Sequence, residues 1–184
     1  MKVVLVTGMP GCGKEEFLRA AEERGFTIVR MGDTVRAEAV RRNIATADEA
    51  IGGFAHQERE AHGYGIWAER TLPRVRGGRI VIDGLRGSAE LDVFKKAFVS
   101  SLTVVAVHAS PEVRFARLRS RNRSDAPHTW EEFVVRERRE LSWGLGEVIA
   151  IAETMLVNEG DLAVFRTQAH AALDALLAGT NHVP

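Results

Sequence analysis

Cysteine occurs once in the 184 residues. No internal disulfide can form, and this usage fits a reducing compartment. Charge of one sign is also lacking, because lysine plus arginine and aspartate plus glutamate each number 25. A neutral chain sets up no global field for nucleic acid or an anionic membrane, so any basic site has to be local. No apolar run approaches the ~18 residues of a membrane span, and no charged leader with an apolar stretch of signal length precedes the first strand. These absences predict an untargeted, soluble, cytoplasmic protein with no membrane partner. His56, His62, His108 and His128 lack metal-ligand spacing, and a single cysteine offers no zinc constellation, so the histidines are read as structural. Internal repeats and low-complexity linkers are absent. The length and a 45% hydrophobic content suit one domain with a sizeable core.

What is present begins at the amino end, with Val3-Val4-Leu5-Val6-Thr7-Gly8-Met9-Pro10-Gly11-Cys12-Gly13-Lys14-Glu15. An apolar run, a glycine-rich loop with a lysine and a helical pattern follow one another, which is the order strand, phosphate loop, helix. Glycines let the backbone curl so that successive N–H groups point into one concavity, and the helix N-terminus adds its positive end. The spelling is that of a Walker A motif, G-x-x-x-x-G-K-[ST], with Lys14 placed against the terminal phosphates of a nucleotide. One position departs from it: Glu15 stands where a Ser or Thr would hold magnesium. Glu15 is expected to point away from the phosphates and to pair with an arginine. The Cys12 amide should bind phosphate, and its thiol, near Lys14 and a helix N-terminus, is a candidate for oxidation sensitivity.

Strands and helices alternate along the rest of the chain. Apolar runs predict strands over 27–31, 79–84, 102–108 and 154–157. Helices are expected over 16–21, over 34–42 with Asp33 as cap, and after a Thr46/Glu49 capping box. Further helices are expected around Ile66 to Leu72, over 89–98 with Ser88 as cap, and after Ser110-Pro111. A Thr129/Glu132 box should open one long helix in which Phe133, Val134, Glu137, Leu141, Leu145 and Val148 share a side. The last helix carries Leu162, Phe165, Ala169, Leu173 and Leu176. The predicted fold is an α/β P-loop NTPase three-layer sandwich: a five-stranded parallel sheet with helices on both faces and ligands at the carboxyl ends of the strands. Asp83 ends an apolar strand there and could hold Mg2+ directly or through water. Arg86 follows three residues later, near enough to face the same crevice.

With these motifs in hand, the chain resembles the P-loop nucleoside monophosphate kinases of the adenylate kinase and dephospho-CoA kinase group, and more closely an archaeal adenylate kinase-related family. Met31-Gly32-Asp33-Thr34-Val35-Arg36 resembles the segment whose arginine grips the acceptor phosphate. Asp83-Gly84-Leu85-Arg86 resembles Asp-Gly-Phe-Pro-Arg with one residue missing between glycine and arginine. Asn158-Glu159-Gly160-Asp161-Leu162 resembles the loop that packs by the adenine. The resemblance implies ATP and Mg2+ as cofactors. Donor binding falls to Gly8, Met9, Pro10, Gly11, Cys12, Gly13, Lys14 and Glu15 with Asn158 and Gly160, and acceptor binding to Asp33, Arg36 and Arg86. It also implies a single kinase domain over 1–184, with an acceptor-binding helical insertion over about 33–77 and a small lid over about 121–140.

The local basic feature runs from Arg114 through Arg117, Arg119 and Arg121 to Arg123. On a helix Arg114, Arg117 and Arg121 fall within about 60° of one another. In the kinases that the chain resembles, the lid begins here. A phosphoryl group in transfer redistributes negative charge, which fixed guanidinium groups stabilise. Arg117, Arg121, Arg123, Arg136 and Arg139 are therefore the catalytic candidates beside Lys14. Trp67, Trp130 and Trp143 are read as core or lid residues. The functional expectation is ATP-dependent transfer of the terminal phosphoryl group to a small nucleotide-like acceptor, a nucleoside monophosphate or dephospho-CoA. The alternative is an ATP-dependent switch or ATPase acting through a protein or RNA partner, motivated by Glu15 and the shortened Asp83–Arg86 segment. Neutral net charge argues against a nucleic-acid-binding module, and the oligomeric state stays open.

Overall fold

Every strand lies parallel to its neighbours in the order β2-β3-β1-β4-β5, with β1 at Lys2–Thr7, β2 at Thr27–Arg30, β3 at Arg79–Asp83, β4 at Leu102–His108 and β5 at Thr154–Val157. The computed structural model describes residues 1–45, 47–121 and 126–179. Side chains alternate across a strand, so one apolar run feeds two cores. Val3, Leu5, Ile80, Ile82 and Val104 enter one, and Val4, Val6, Val81, Val105 and Val107 enter the other. The second core is closed by α1 (Lys14–Glu23) and α9 (Leu162–Ala178), through Phe17, Leu18, Phe165 and Leu173. The first is closed by α2 (Met31–Arg41), α3 (Asp48–His62), α4 (Ile66–Thr71), α5 (Ser88–Phe98) and α8 (Leu145–Ala150). This is the three-layer α/β sandwich that the alternating pattern predicts. Among the described residues no helix is long and apolar enough to cross a membrane.

Several local expectations are corrected. Helix α2 starts at Met31 directly after β2, so Asp33 sits in its first turn and bonds Arg36 instead of capping. Its charge there still suits the helix dipole. Thr46 lies outside the described residues, and α3 begins behind Ala47, which has no side-chain oxygen to cap with. Ser88 is the first residue of α5, behind Gly87. Ser110 precedes α6 (Pro111–Ser120) as expected, but its hydroxyl makes no cap bond; its amide donates to Glu159 Oε1 at 2.5 Å. Thr129 does cap α7 (Trp130–Ser142) by accepting from the Glu132 amide, whereas the Glu132 carboxylate takes the His128 amide. The long helix is broken at Gly144, which adopts φ 91° between α7 and α8. The break turns α8 onto the core and leaves Leu141 51% exposed.

The helices that follow β2 are tied to the sheet through Trp67, which is fully buried, meets Phe54 edge-on at 5.7 Å and donates from Nε1 to the Ala55 carbonyl at 3.0 Å. Trp67→Ala should cost about 3–5 kcal/mol of folding free energy, from lost burial and an uncollapsed cavity. Urea unfolding followed by circular dichroism measures it, and a loss below about 1 kcal/mol would contradict the central place given to this side chain.

Candidate active site

The loop between β1 and α1 curls as a phosphate loop does, with positive φ at Gly8, Gly11 and Gly13. At Gly13 the demand is steric as well as conformational, since a Cβ would stand 2.1 Å from Asn158 Nδ2. When the N–H groups turn inward the carbonyls turn outward and need donors. Lys14 Nζ donates to the Gly8 carbonyl at 2.7 Å, Asn158 Nδ2 to Cys12 at 2.9 Å, and Arg114 Nη1 to Pro10 at 3.4 Å. Asn158 is itself gripped by Arg117, which donates to its carbonyl at 2.9 Å and to Oδ1 at 3.3 Å. Arg114 is buried with a two-pronged bond to Glu137, over the Phe133 ring. Cys12 has no exposed surface, which removes it as a solvent-facing thiol.

In front of the loop lies a cavity of about 180 Å³ lined by Pro10, Gly11, Lys14, Arg86, Leu118, Arg121, Ala126 and Arg136. Among the described lining residues four are cationic and none is a carboxylate. The charge balance is that of an anion site. Arg86 is aimed by two acids from different helices: its Nη1 donates to Glu140 at 2.7 Å and its amide to Glu90 at 2.6 Å. Attraction to Glu140 raises the Arg86 pKa, so the guanidinium is always charged. Glu90 is buried and pairs with Arg59 at 3.0 Å; burial pushes its carboxyl up, and Arg59 opposes that shift. Arg59 and Arg139 both approach the Trp143 ring, at 5.0 and 5.8 Å.

The sequence candidates therefore separate. Lys14, Arg86, Arg121 and Arg136 come together around the cavity, while Arg117 holds the loop from behind and Arg139 rests on Trp143. Arg36 and Asp33 form a surface pair at 2.5 Å and do not line the cavity. Asn158 is buried behind the loop, and Gly160 is exposed in the turn after β5. Arg123 lies outside the described residues. Sequence reasoning missed Glu90, Glu140, Arg59 and Arg30, since acids and arginines on helices or strand ends carry no local sign of a distant partner. Only Arg30 had a usable signal, as a charged residue near the carboxyl end of the strand expected over 27–31.

Asp83 closes β3 in register with Val6 of β1 and Arg30 of β2. Its Oδ2 stands 3.5 Å from Arg30, and its Oδ1 is buried without a hydrogen-bond partner among the described residues. Glu15 is turned to Arg30, which grips both carboxylate oxygens at 2.9 and 3.1 Å. An anionic oxygen left unsatisfied at a strand end beside the loop suits a hard cation or a substrate hydroxyl.

A family model described as an AAA domain matches residues 7–134. A UPF0200 protein of Thermoplasma acidophilum is 43% identical over 182 residues, covering 98% of this chain and 100% of that one. A UPF0200 protein of Pyrococcus horikoshii is 37% identical over 182 residues, covering 96% and 98%. Among solved structures, shikimate kinase from Bacteroides thetaiotaomicron aligns with TM-score 0.67 at 16% identity, over 96% of this chain and 98% of that one. A gluconokinase from Sinorhizobium meliloti aligns with TM-score 0.60 at 16% identity, over 98% of each chain. At such identities the likeness speaks for the fold alone.

Asn158→Ala removes the donor to Cys12 and leaves Arg117 without one acceptor. It should cost about 1–3 kcal/mol of stability, and where pyrophosphate is expected to raise the parent's melting temperature, the variant should show no such rise. Retention of that rise would show that the loop keeps its shape without the clamp.

Proposed function

The chain belongs to the UPF0200 protein family, and we propose that its reaction is transfer of the terminal phosphoryl group of ATP to a small nucleotide-like acceptor, a nucleoside monophosphate or dephospho-CoA. The observation that carries this reading is the cavity itself: Lys14 and three arginines from separate segments converge beside the phosphate loop, with no carboxylate among the described lining residues. A P-loop kinase fold supplies the frame. In the reaction, an acceptor oxygen forms a bond to the terminal phosphorus of ATP, the bond to the bridging oxygen breaks, ADP leaves, and the acceptor oxygen sheds its proton where it carried one. Such a transfer is catalysed by alignment and by charge stabilisation, without a covalent intermediate.

Each residue takes a role by position. The amides of Gly11, Gly13, Lys14 and Glu15, with the Lys14 ammonium, hold the donor phosphates, whereas the Cys12 amide, expected among them, donates to the Met9 carbonyl at 3.2 Å. Arg86, fixed by Glu140 and Glu90, holds the acceptor. Arg121 and Arg136 stand across the cavity where charge is redistributed, so the segment over about 121–140 acts as the lid, and the helices over about 33–77 form the acceptor side. Asp83 fits a magnesium ion, because one of its oxygens is buried and unpartnered. Magnesium bound there would neutralise donor phosphate charge.

An ADP-release assay with ATP across nucleoside monophosphates, dephospho-CoA and hydroxyl acceptors tests the reading. Acceptor-dependent turnover is expected with at least one of them, and Lys14→Ala should lower it roughly 100-fold. ATP hydrolysis indifferent to every acceptor but stimulated by RNA or a protein partner would replace the kinase with a switch.

A further inference from the structure

Arg30 is absent from the phosphate loop and from the cavity, yet it occupies the space between the two carboxylates nearest the magnesium position. It ends β2 at the carboxyl edge, in register with Asp83. Nη2 and Nη1 take the two oxygens of Glu15 at 2.9 and 3.1 Å, and the same Nη1 lies 3.5 Å from Asp83 Oδ2. Glu15 directly follows Lys14 in the first turn of α1. Without Arg30, two carboxylates would stand beside one another, one at a helix start and one at a strand end, as a dianionic oxygen donor set suited to a hard divalent ion. With Arg30 both are partnered, and the net charge of the group falls to a single negative.

We propose that Arg30 is a built-in counter-cation of the metal position. It holds Glu15 away from the donor phosphates and stops Glu15 and Asp83 from capturing a free divalent ion, so that the metal enters with the nucleotide phosphates and not ahead of them. The unpartnered Asp83 Oδ1 is the oxygen that stays available to a metal or its water once phosphate ligands are present. This explains how a carboxylate is tolerated where the Walker motif has a hydroxyl: its charge is spent on Arg30. The proposal rests on the reading of Asp83 as the metal ligand of the nucleotide site. Arg30 and Glu15 are both partly exposed, so a neutral side chain at position 30 keeps the fold.

The test is a titration with Mn2+ alone, free ion being followed by electron paramagnetic resonance, in the full chain without nucleotide. Arg30→Gln should bind Mn2+ at least about tenfold more tightly than the parent, because removal of the guanidinium exposes both carboxylates. Arg30→Lys keeps the charge and should stay within about threefold of the parent. Adding Asp83→Asn to Arg30→Gln should erase the gain. An Arg30→Gln protein that binds Mn2+ no better than the parent, or a gain that survives Asp83→Asn, overturns the proposal. No nucleotide or acceptor enters this measurement, so it can fail while phosphoryl transfer is found, and it can succeed while every acceptor fails.

Discussion

A backbone that points its N–H groups into one concavity must send its carbonyls out the other side, and everything around the phosphate loop follows from that constraint. Three donors meet the outward carbonyls, and each comes from a different place: Lys14 from the helix that the loop opens, Arg114 from α6, and Asn158 from the turn after the last strand. The Asn158 bond spans 146 positions of sequence, so the loop near the start of the chain takes its shape from a residue near its end. Parallel register is what brings them together. Val6 lies beside Asp83, Thr7 beside Ala106 and His108 beside Val157, so every strand delivers its last residues to one edge.

Arginine does two different jobs at that edge, and its acidic partners decide which. Arg59 with Glu90 and Arg114 with Glu137 are pairs in which both members are largely withdrawn from water. Such pairs add little net stability once desolvation is counted, but losing one member strands the other, so they fix geometry. Arg86 stands at the boundary. Its partners Glu140 and Glu90 approach from helices behind it, and its side chain, 33% exposed, still faces the cavity. Acids placed behind a cation aim it without occupying the space in front, and this is how the described wall of the cavity holds four cations and no carboxylate.

The strands were legible because a sheet buried on both faces writes its members as continuous apolar runs; 102–108 and 154–157 match β4 and β5 residue for residue. Helix starts were less so. A Ser or Thr before a helix is only an opportunity to cap, and at Ser88 and Ser110 backbone geometry and a carboxylate from elsewhere took precedence. The same limit governs the arginines of α6 and Arg121, which caps its end. Spacing along a helix says that Arg114, Arg117 and Arg121 share a side, but not which neighbour each will meet, and the helix passes from the back of the loop to the cavity within two turns. Thus Arg114 and Arg117 brace the loop while Arg121 lines the cavity. Leu141 fitted the apolar stripe of a continuous helix; Gly144 ends that continuity, a change of direction that periodicity cannot register.

The first turn of α1 shows how local charge can be reconciled with an anion site. Glu15 and Glu16 both suit a helix N-terminus, since a carboxylate there meets the positive end of the dipole. Left unpaired they would also repel the phosphates that the loop is built to receive, at distances where each unit charge counts for about 1–4 kcal/mol depending on exposure to solvent. Each is instead drawn off by an arginine from outside the helix, Glu15 by Arg30 and Glu16 by Arg166 at 2.8 Å, and Glu16 also meets Arg19 of its own helix at 3.2 Å. The pairs neutralise the acids to the side of the helix axis, while the N–H groups at its start remain turned toward the loop. A departure from the Walker spelling at Glu15 is therefore compatible with the same electrostatics, provided that β2 ends in a cation.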